Sequence, residues 1–363
     1  MSKSNIRKKK ETDLTIPSRK NSLWIIIILG FSFLEYGNTL YNGYALDDGI
    51  MIRENKFVQQ GVGGIRNILA HDLFFGWYQN ANTDIAGGRY RPVSLISFAV
   101  EHQVAGDNPG FSHFINVLLL ALTGVLIFLL LKKLLIQFPG KYSALTHLPF
   151  ITSLLFISHP IHTEAVANIK GRDEILAMLF CVLASIQVLN WIDNGRKIKN
   201  IVVAFLFFLL AILSKENALT FIIVIPLMLW FFRNEKLETF LPLALALLLP
   251  VGIFLLLRFE FAFASFHPAS DNLMNNPFAG LNMEQKYATI IFTFGKYLLL
   301  LLFPHPLTSD YYPYQISIHD FAGAGTLISL IVCVALIVIS IFQLRKKTLL
   351  SFCIFYSIIT FLP

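Results

Sequence analysis

Residues 112–133 read "SHFINVLLLALTGVLIFLLLKK", a run apolar enough to cross a hydrocarbon core of about 30 Å and closed by two lysines. Runs of this kind recur along all 363 residues, of which 55% are hydrophobic, 14% aromatic and only 14% charged. A soluble domain carries about a quarter charged residues, and the mean hydropathy here is +0.64. The short alternating segments of a transmembrane β-barrel do not occur in the sequence. The pattern specifies an all-α polytopic membrane protein.

Orientation follows from the basic residues. They cluster at 3–20, at Lys132 and Lys133, at Arg196, Lys197 and Lys199, at Arg233 with Lys236, and at Arg345, Lys346 and Lys347. Cytoplasmic ends of membrane helices collect Lys and Arg, so the net charge of +7 needs no nucleic acid. Placing every cluster inside predicts spans at 22–41, 112–133, 144–160, 174–192, 200–214, 217–232, 239–257 and 322–343, with 349–363 starting another. Residues 288–303, "ATIIFTFGKYLLLLLF", break the parity and are expected to form an interfacial or re-entrant helix packed against protein.

The expected domains are a disordered basic cytoplasmic arm over 1–20 and a multi-span membrane domain over 21–363. That domain is expected to be incomplete at its C-terminus, because the chain stops inside the apolar run "SIITFLP". Residues 42–111 form its first outer loop. The first apolar run, "SLWIIIILGFSFL", has a basic leader but no small-residue cleavage site, and reads as an uncleaved span. Cys181, Cys333 and Cys353 all lie in apolar runs and are expected to pack as small apolar residues.

The outer segments carry the candidate chemistry. In "NGYALDDGIMIRENK", Asp47 and Asp48 are adjacent and therefore face different ways. One can point at a reacting centre while the other is held by donors. A helix N-cap is the plainer explanation for the pair. Trp77, Tyr78 and Tyr90 follow, in a stretch expected to lie as amphipathic helices in the interface plane. Arg89 and Arg91, before Pro92, suit phosphate capture, although guanidinium groups at this depth also snorkel to lipid headgroups.

His159, His162 and Glu164, with Arg172, Asp173 and Glu174, gather at one helix mouth, where titratable groups are functional candidates. A divalent metal at His159 and His162 is the alternative to a hydrogen-bonded structural cluster; Pro160 interrupts a helical ligand pair, and no third ligand is evident. Lys215 and Glu216 occupy a short outer turn. They read as a local ion pair, with Lys215 also placed to reach a lipid-linked anion. Asp310 stands beside Tyr311, Tyr312 and Tyr314, an arrangement that suits either sugar stacking or an aromatic belt.

Each signal is weak alone, but their order is specific. "DDGIMIREN", "YRPVSLISF", "PGFSHFINVLLLAL", "ISHPIHTEAVANIKGRDEILA", "SKENALTF" and "FPHPLTSDYY" follow one another as in a known arrangement. The chain resembles the membrane half of the transmembrane and tetratricopeptide-repeat protein O-mannosyltransferases and their bacterial relatives, within the C-type membrane glycosyltransferases. The resemblance implies an inverting transfer of a sugar, mannose in that family, from a polyprenyl-phosphate donor to a protein Ser or Thr hydroxyl at the outer membrane face. By the same resemblance Asp47 would be the base, Asp48 its orienting partner and Arg91 the phosphate ligand, with Arg89 and Lys215 as further phosphate candidates. His159, His162, Glu164, Arg172, Asp173, Glu216, Asp310 and Tyr311 would be site residues without individual roles.

The tetratricopeptide repeats and the later spans of that family are missing from this chain. Expected partners are the lipid-linked sugar donor, a protein or glycan acceptor and membrane lipids. Competing readings are the same chemistry on a lipid or polysaccharide acceptor, a non-catalytic anchor, and a transporter. A transporter favours midplane charges and matched repeats, whereas here the charges gather on one face. The membrane is expected to be a bacterial inner membrane with the active face outward, with the endoplasmic reticulum as the alternative.

Overall fold

The structure, a computed structural model, describes residues 18–79, 88–135, 147–233, 235, 237–262, 276–308, 311 and 315–361. Residues 1–17 of the expected basic arm, and Asp310, Tyr312 and Tyr314, lie outside the described residues. Every regular element among those described is helical. The longer helices are α1 (Ser18–Tyr36), α2 (Pro92–Ala105), α3 (Pro109–Leu135), α4 (Leu148–Ser158) and α5 (Arg172–Asp193), followed by α6 (Ile198–Ser214) and α7 (Phe221–Arg233). The remainder are α8 (Leu237–Ala262), α9 (Met283–Leu302), α10 (Ala324–Leu344) and α11 (Leu349–Thr360).

Among the described residues, six helices are long and apolar enough to cross a membrane: 21–41, 109–135, 169–193, 216–233, 241–262 and 324–344. The protein is a multi-pass membrane protein with an all-α fold. The three shorter apolar helices, α4, α6 and α11, coincide with the other expected spans. α4 has only 11 residues, about 16 Å at helical rise. It stops because His159 is extended (φ −69°, ψ 120°), as the residue before a proline prefers.

α9 is one unbroken helix of 20 residues. A side chain on Gly295 would collide with Ser329, and one on Gly325 with the ring of Phe292. The matching offsets at successive turns mean that α9 and α10 run side by side in the same sense.

α3 packs between α1 and α5, and α5 lies against α6. The largest core joins α5 to α8 through residues such as Val188, Phe208, Ile225 and Phe254. The first long connection has a core of its own. Its short helices bury Met51, Phe57, Val58, Ile68 and Leu73 against Leu95 and Phe98 of α2, so they fold into a cap instead of lying out singly. Asn55 starts one of them by accepting from the Phe57 and Val58 amides at 3.1 and 3.3 Å. Gly64 passes so close to the Phe57 carbonyl that any Cβ would overlap it.

The charges sort to opposite ends of the bundle. At one end Lys133 and Arg233 share Asp193 (3.8 and 2.9 Å), and Arg196 pairs with Glu235. The other end carries the cap, the 159–171 connection and the 215–216 turn.

Candidate functional site

The acidic pair divides as adjacency demands. Asp48 is 1% exposed; its Oδ2 accepts from the Ala45 amide at 3.0 Å and its Oδ1 from the Lys170 amide at 2.8 Å. It makes no side-chain cap bond to the turn that follows, so the N-cap explanation is not realised. Instead Asp48 fastens the first connection to residue 170, far along the chain. Burial pushes its carboxyl above the ordinary value, although the backbone donors pull the other way. Asp47 turns outward. Its side chain is 56% exposed, with Oδ2 3.9 Å from Lys170 Nζ.

Arg91 does not face open space. It is 7% exposed; Nε and Nη2 grip Glu216 at 2.8 and 2.7 Å, and Nη1 reaches Asp173 at 2.7 Å. Burial opposes its charge, but the two carboxylates hold its pKa above the ordinary value. A donor phosphate could reach this guanidinium only by displacing one of them. Arg89 stays exposed, with its guanidinium 5.7 Å from the centre of the Phe74 ring. Lys215 bonds Glu174 closely and lies 3.9 Å from Asp173.

Arg172 is sealed off. It is 0% exposed, donating to Glu101, to Asn116 Oδ1 at 2.7 Å, to the Ser112 carbonyl at 3.0 Å and to Ser97 Oγ at 3.3 Å. The Phe98 ring lies 4.4 Å below it. It ties α2, α3 and α5 together and presents no exposed surface. The signal it shares with a functional arginine is a charge at a membrane helix mouth; what differs is complete internal pairing.

The histidines are also engaged. His159 Nδ1 accepts from the Ile161 amide at 3.3 Å, leaving Nε2–H for the Leu301 carbonyl at 3.1 Å. His162 packs on Phe156 with ring centres 4.4 Å apart, and burial lowers its pKa to about 4. With both His159 nitrogens used on backbone, the pair does not fit a metal, and no group of three His, Cys, Asp or Glu among the described residues could hold one. Glu164 is exposed and accepts from Asn168 at 2.8 Å. Tyr311 is only partly buried and stands apart from these contacts.

Of these residues, His162, Glu164, Lys170, Asp173, Glu174 and Lys215 line a cavity of ≈ 560 Å³. Leu120, Phe156, Met178, Tyr356 and Phe361 make its walls apolar, and Glu164, Asp173, Glu174, Lys170 and Lys215 make its rim charged. The volume and lining suit an amphiphile of moderate size. Lys170 connects the cavity to the acidic pair, since it lines the first and contacts both members of the second. No sequence signal marked it, because its partners lie over a hundred residues away.

The sequence is similar to several known proteins. Protein O-mannosyl-transferase TMTC1 of Mus musculus is 32% identical over 169 residues, 47% of this chain and 17% of the relative. Protein O-mannosyl-transferase F38B6.6 of Caenorhabditis elegans is 27% identical over 291 residues, 79% of this chain and 39% of that protein. The chain is a relative of the TMTC protein O-mannosyl-transferases. Human TMTC3, also named a protein O-mannosyl-transferase, is 29% identical over 198 residues, 54% of this chain and 20% of its own length. The chain thus spans well under half the length of the TMTC relatives it matches. No family model and no solved structure matches it.

Proposed function

We propose that this chain forms the donor-binding and catalytic membrane part of an inverting glycosyltransferase. It would move a sugar, mannose by the relatives' names, from a polyprenyl phosphate to a Ser or Thr hydroxyl of a protein. The observation that carries the reading is Asp47: an outward carboxylate, set beside a buried partner, 3.9 Å from the Nζ of Lys170, a residue that lines an apolar-walled cavity. A lipid phosphate needs apolar walls for its chain and cations for its head.

In the reaction the acceptor oxygen attacks the anomeric carbon while Asp47 takes the hydroxyl proton. The bond between that carbon and the phosphate oxygen breaks, and its electron pair leaves with the polyprenyl phosphate. Asp48 orients the segment that presents Asp47. Lys215 supplies positive charge at the rim, and Arg91 positions Asp173 and Glu216 beside it. The site end of the bundle, opposite the basic clusters, faces away from the cytoplasm under the positive-inside rule. That face would be the outer face of a bacterial inner membrane or the lumenal face of the endoplasmic reticulum.

The test uses the longest chain carrying this sequence, in membranes, with radiolabelled polyprenyl-phosphate mannose and a Ser/Thr-rich protein. Label should reach protein with the wild type and not with Asp47→Asn, while donor binding persists. Label appearing instead in lipid or polysaccharide would change the acceptor class. Near-normal transfer by Asp47→Asn would refute the base.

A further inference from the structure

We infer that Lys170 is the residue that grips the donor's phosphate and couples donor arrival to release of the base; the inference rests on the proposed donor reading. Three contacts meet in this one residue. Its amide holds Asp48 at 2.8 Å, which fixes the backbone from which its side chain departs. Its Nζ stands 3.9 Å from Asp47, a loose contact to a half-exposed carboxylate. Its side chain also lines the cavity with the apolar walls.

Lys215, the other cation that lines the cavity, and the buried arginines behind it are held more firmly. Arg91 is bonded to two carboxylates, and Arg172 is enclosed. Lys215 is closely bonded to Glu174, with Asp173 nearby. Among the described residues the Lys170 ammonium has one ion-pair partner, Asp47, at a loose 3.9 Å with the carboxylate more than half exposed, and a pair of that kind adds little stability. Of the two cations that line the cavity, Lys170 and Lys215, it is therefore the one that an incoming phosphate can recruit at least cost. When Lys170 turns to the phosphate, Asp47 loses its counter-charge and becomes free to accept a hydroxyl proton. With the cavity empty, the same lysine keeps the carboxylate occupied.

Charge flow gives the contact a second consequence. The bound donor is a phosphodiester with one negative charge, and the departing polyprenyl phosphate gains a second as the bond to the sugar breaks. A lysine at that oxygen binds the transition state more tightly than the ground state. Lys170 should therefore affect turnover as well as donor affinity.

The experiment measures binding of polyprenyl phosphate, and of the matching uncharged polyprenol, to the full chain in phosphatidylcholine nanodiscs. Wild type, Lys170→Gln and Lys170→Arg are compared. Loss of one hydrogen bond to a charged group corresponds to about ten- to a hundredfold in affinity. Lys170→Gln should lose that much for the phosphate and nothing for the alcohol, and Lys170→Arg should recover most of it. Unchanged phosphate affinity in Lys170→Gln, or equal losses for phosphate and alcohol, would overturn the assignment while the donor reading stands. A wild type that does not distinguish phosphate from alcohol would overturn the donor reading, and this inference with it.

Discussion

Replacing Arg172 by Met tests the most heavily buried charge among the described residues. The guanidinium bonds Glu101, Ser97, Asn116 and the Ser112 carbonyl, and its face covers Phe98. Methionine fills part of the volume but leaves Glu101 with Ser112 Oγ (2.8 Å) as its one remaining bond in this cluster. Removing one member of a buried pair costs about 3–5 kcal/mol, because the other charge stays out of water without its partner. For a marginally stable fold that is a large share of the total. Arg172→Lys keeps the charge but not the planar fork, so one ammonium cannot reach oxygens on both α2 and α3; it should recover part of the loss. Arg172→Met combined with Glu101→Leu should be more stable than Arg172→Met alone, since no buried charge is then stranded. Thermal unfolding in detergent, followed by accessibility of the buried Cys181 to a thiol dye, reads all three variants. If Arg172→Met melts like the wild type, or the double variant is less stable than the single, the ion pair does not hold the helices as argued.

Three further outcomes follow from the same geometry. Arg91→Ala strands Asp173 and Glu216 together, so it should lower the melting temperature before any donor-specific defect shows, with Arg91→Lys intermediate in the same thermal assay. Burial lowers the His162 pKa from 6.5 to about 4, so the unfolded chain takes up its proton first as the pH falls. Stability should therefore drop between about pH 6.5 and pH 4, by at most about 3 kcal/mol, and His162→Phe should flatten that part of the profile. Gly171→Ala places a Cβ about 2.5 Å from the Ala165 carbonyl. Displacing the 165–171 backbone should cost about 1–3 kcal/mol and weaken polyprenyl-phosphate binding, which the nanodisc titration would detect.

The helical bundle was legible because membrane crossing demands long apolar runs and basic ends, and both are local in sequence. The 349–363 segment also follows its run as α11, and 288–303, expected as an interfacial or re-entrant helix, lies in the unbroken helix α9. The split between Asp47 and Asp48 was legible for a different reason: neighbours on a chain cannot share a direction. What the sequence could not express was which charges pair. "GGRYRP" reads equally well as a phosphate site or a structural clasp, and only its distance from Glu216 and Asp173 decides. Arg172 likewise carries no mark of its enclosure. Its acceptors come from α2 and α3, and the register between helices is set by packing that no single segment contains. The short helices of the first outer loop were legible from their amphipathic spacing, but the compact core they share was not, because its glycines and aromatics meet Leu95 and Phe98 of α2 from further along the chain.

The charges at the site end differ in how firmly they are held, and the order carries functional meaning. Arg172 has no exposure and four partner groups. Arg91 has two carboxylates, and Asp48 has two backbone donors. Each of these joins segments distant in sequence, and each would cost several kcal/mol to disturb. Charges in apolar surroundings are tolerable when paired in this way, and groups so paired resist the rearrangement that chemistry requires. Asp47 and Lys170 are the exception, at 3.9 Å with Asp47 more than half exposed. A base must give up its partner to accept a proton, and a phosphate ligand must give up its partner to bind. Under the proposed function, this loose pair is where transfer chemistry would begin, and the stronger pairs hold it in position.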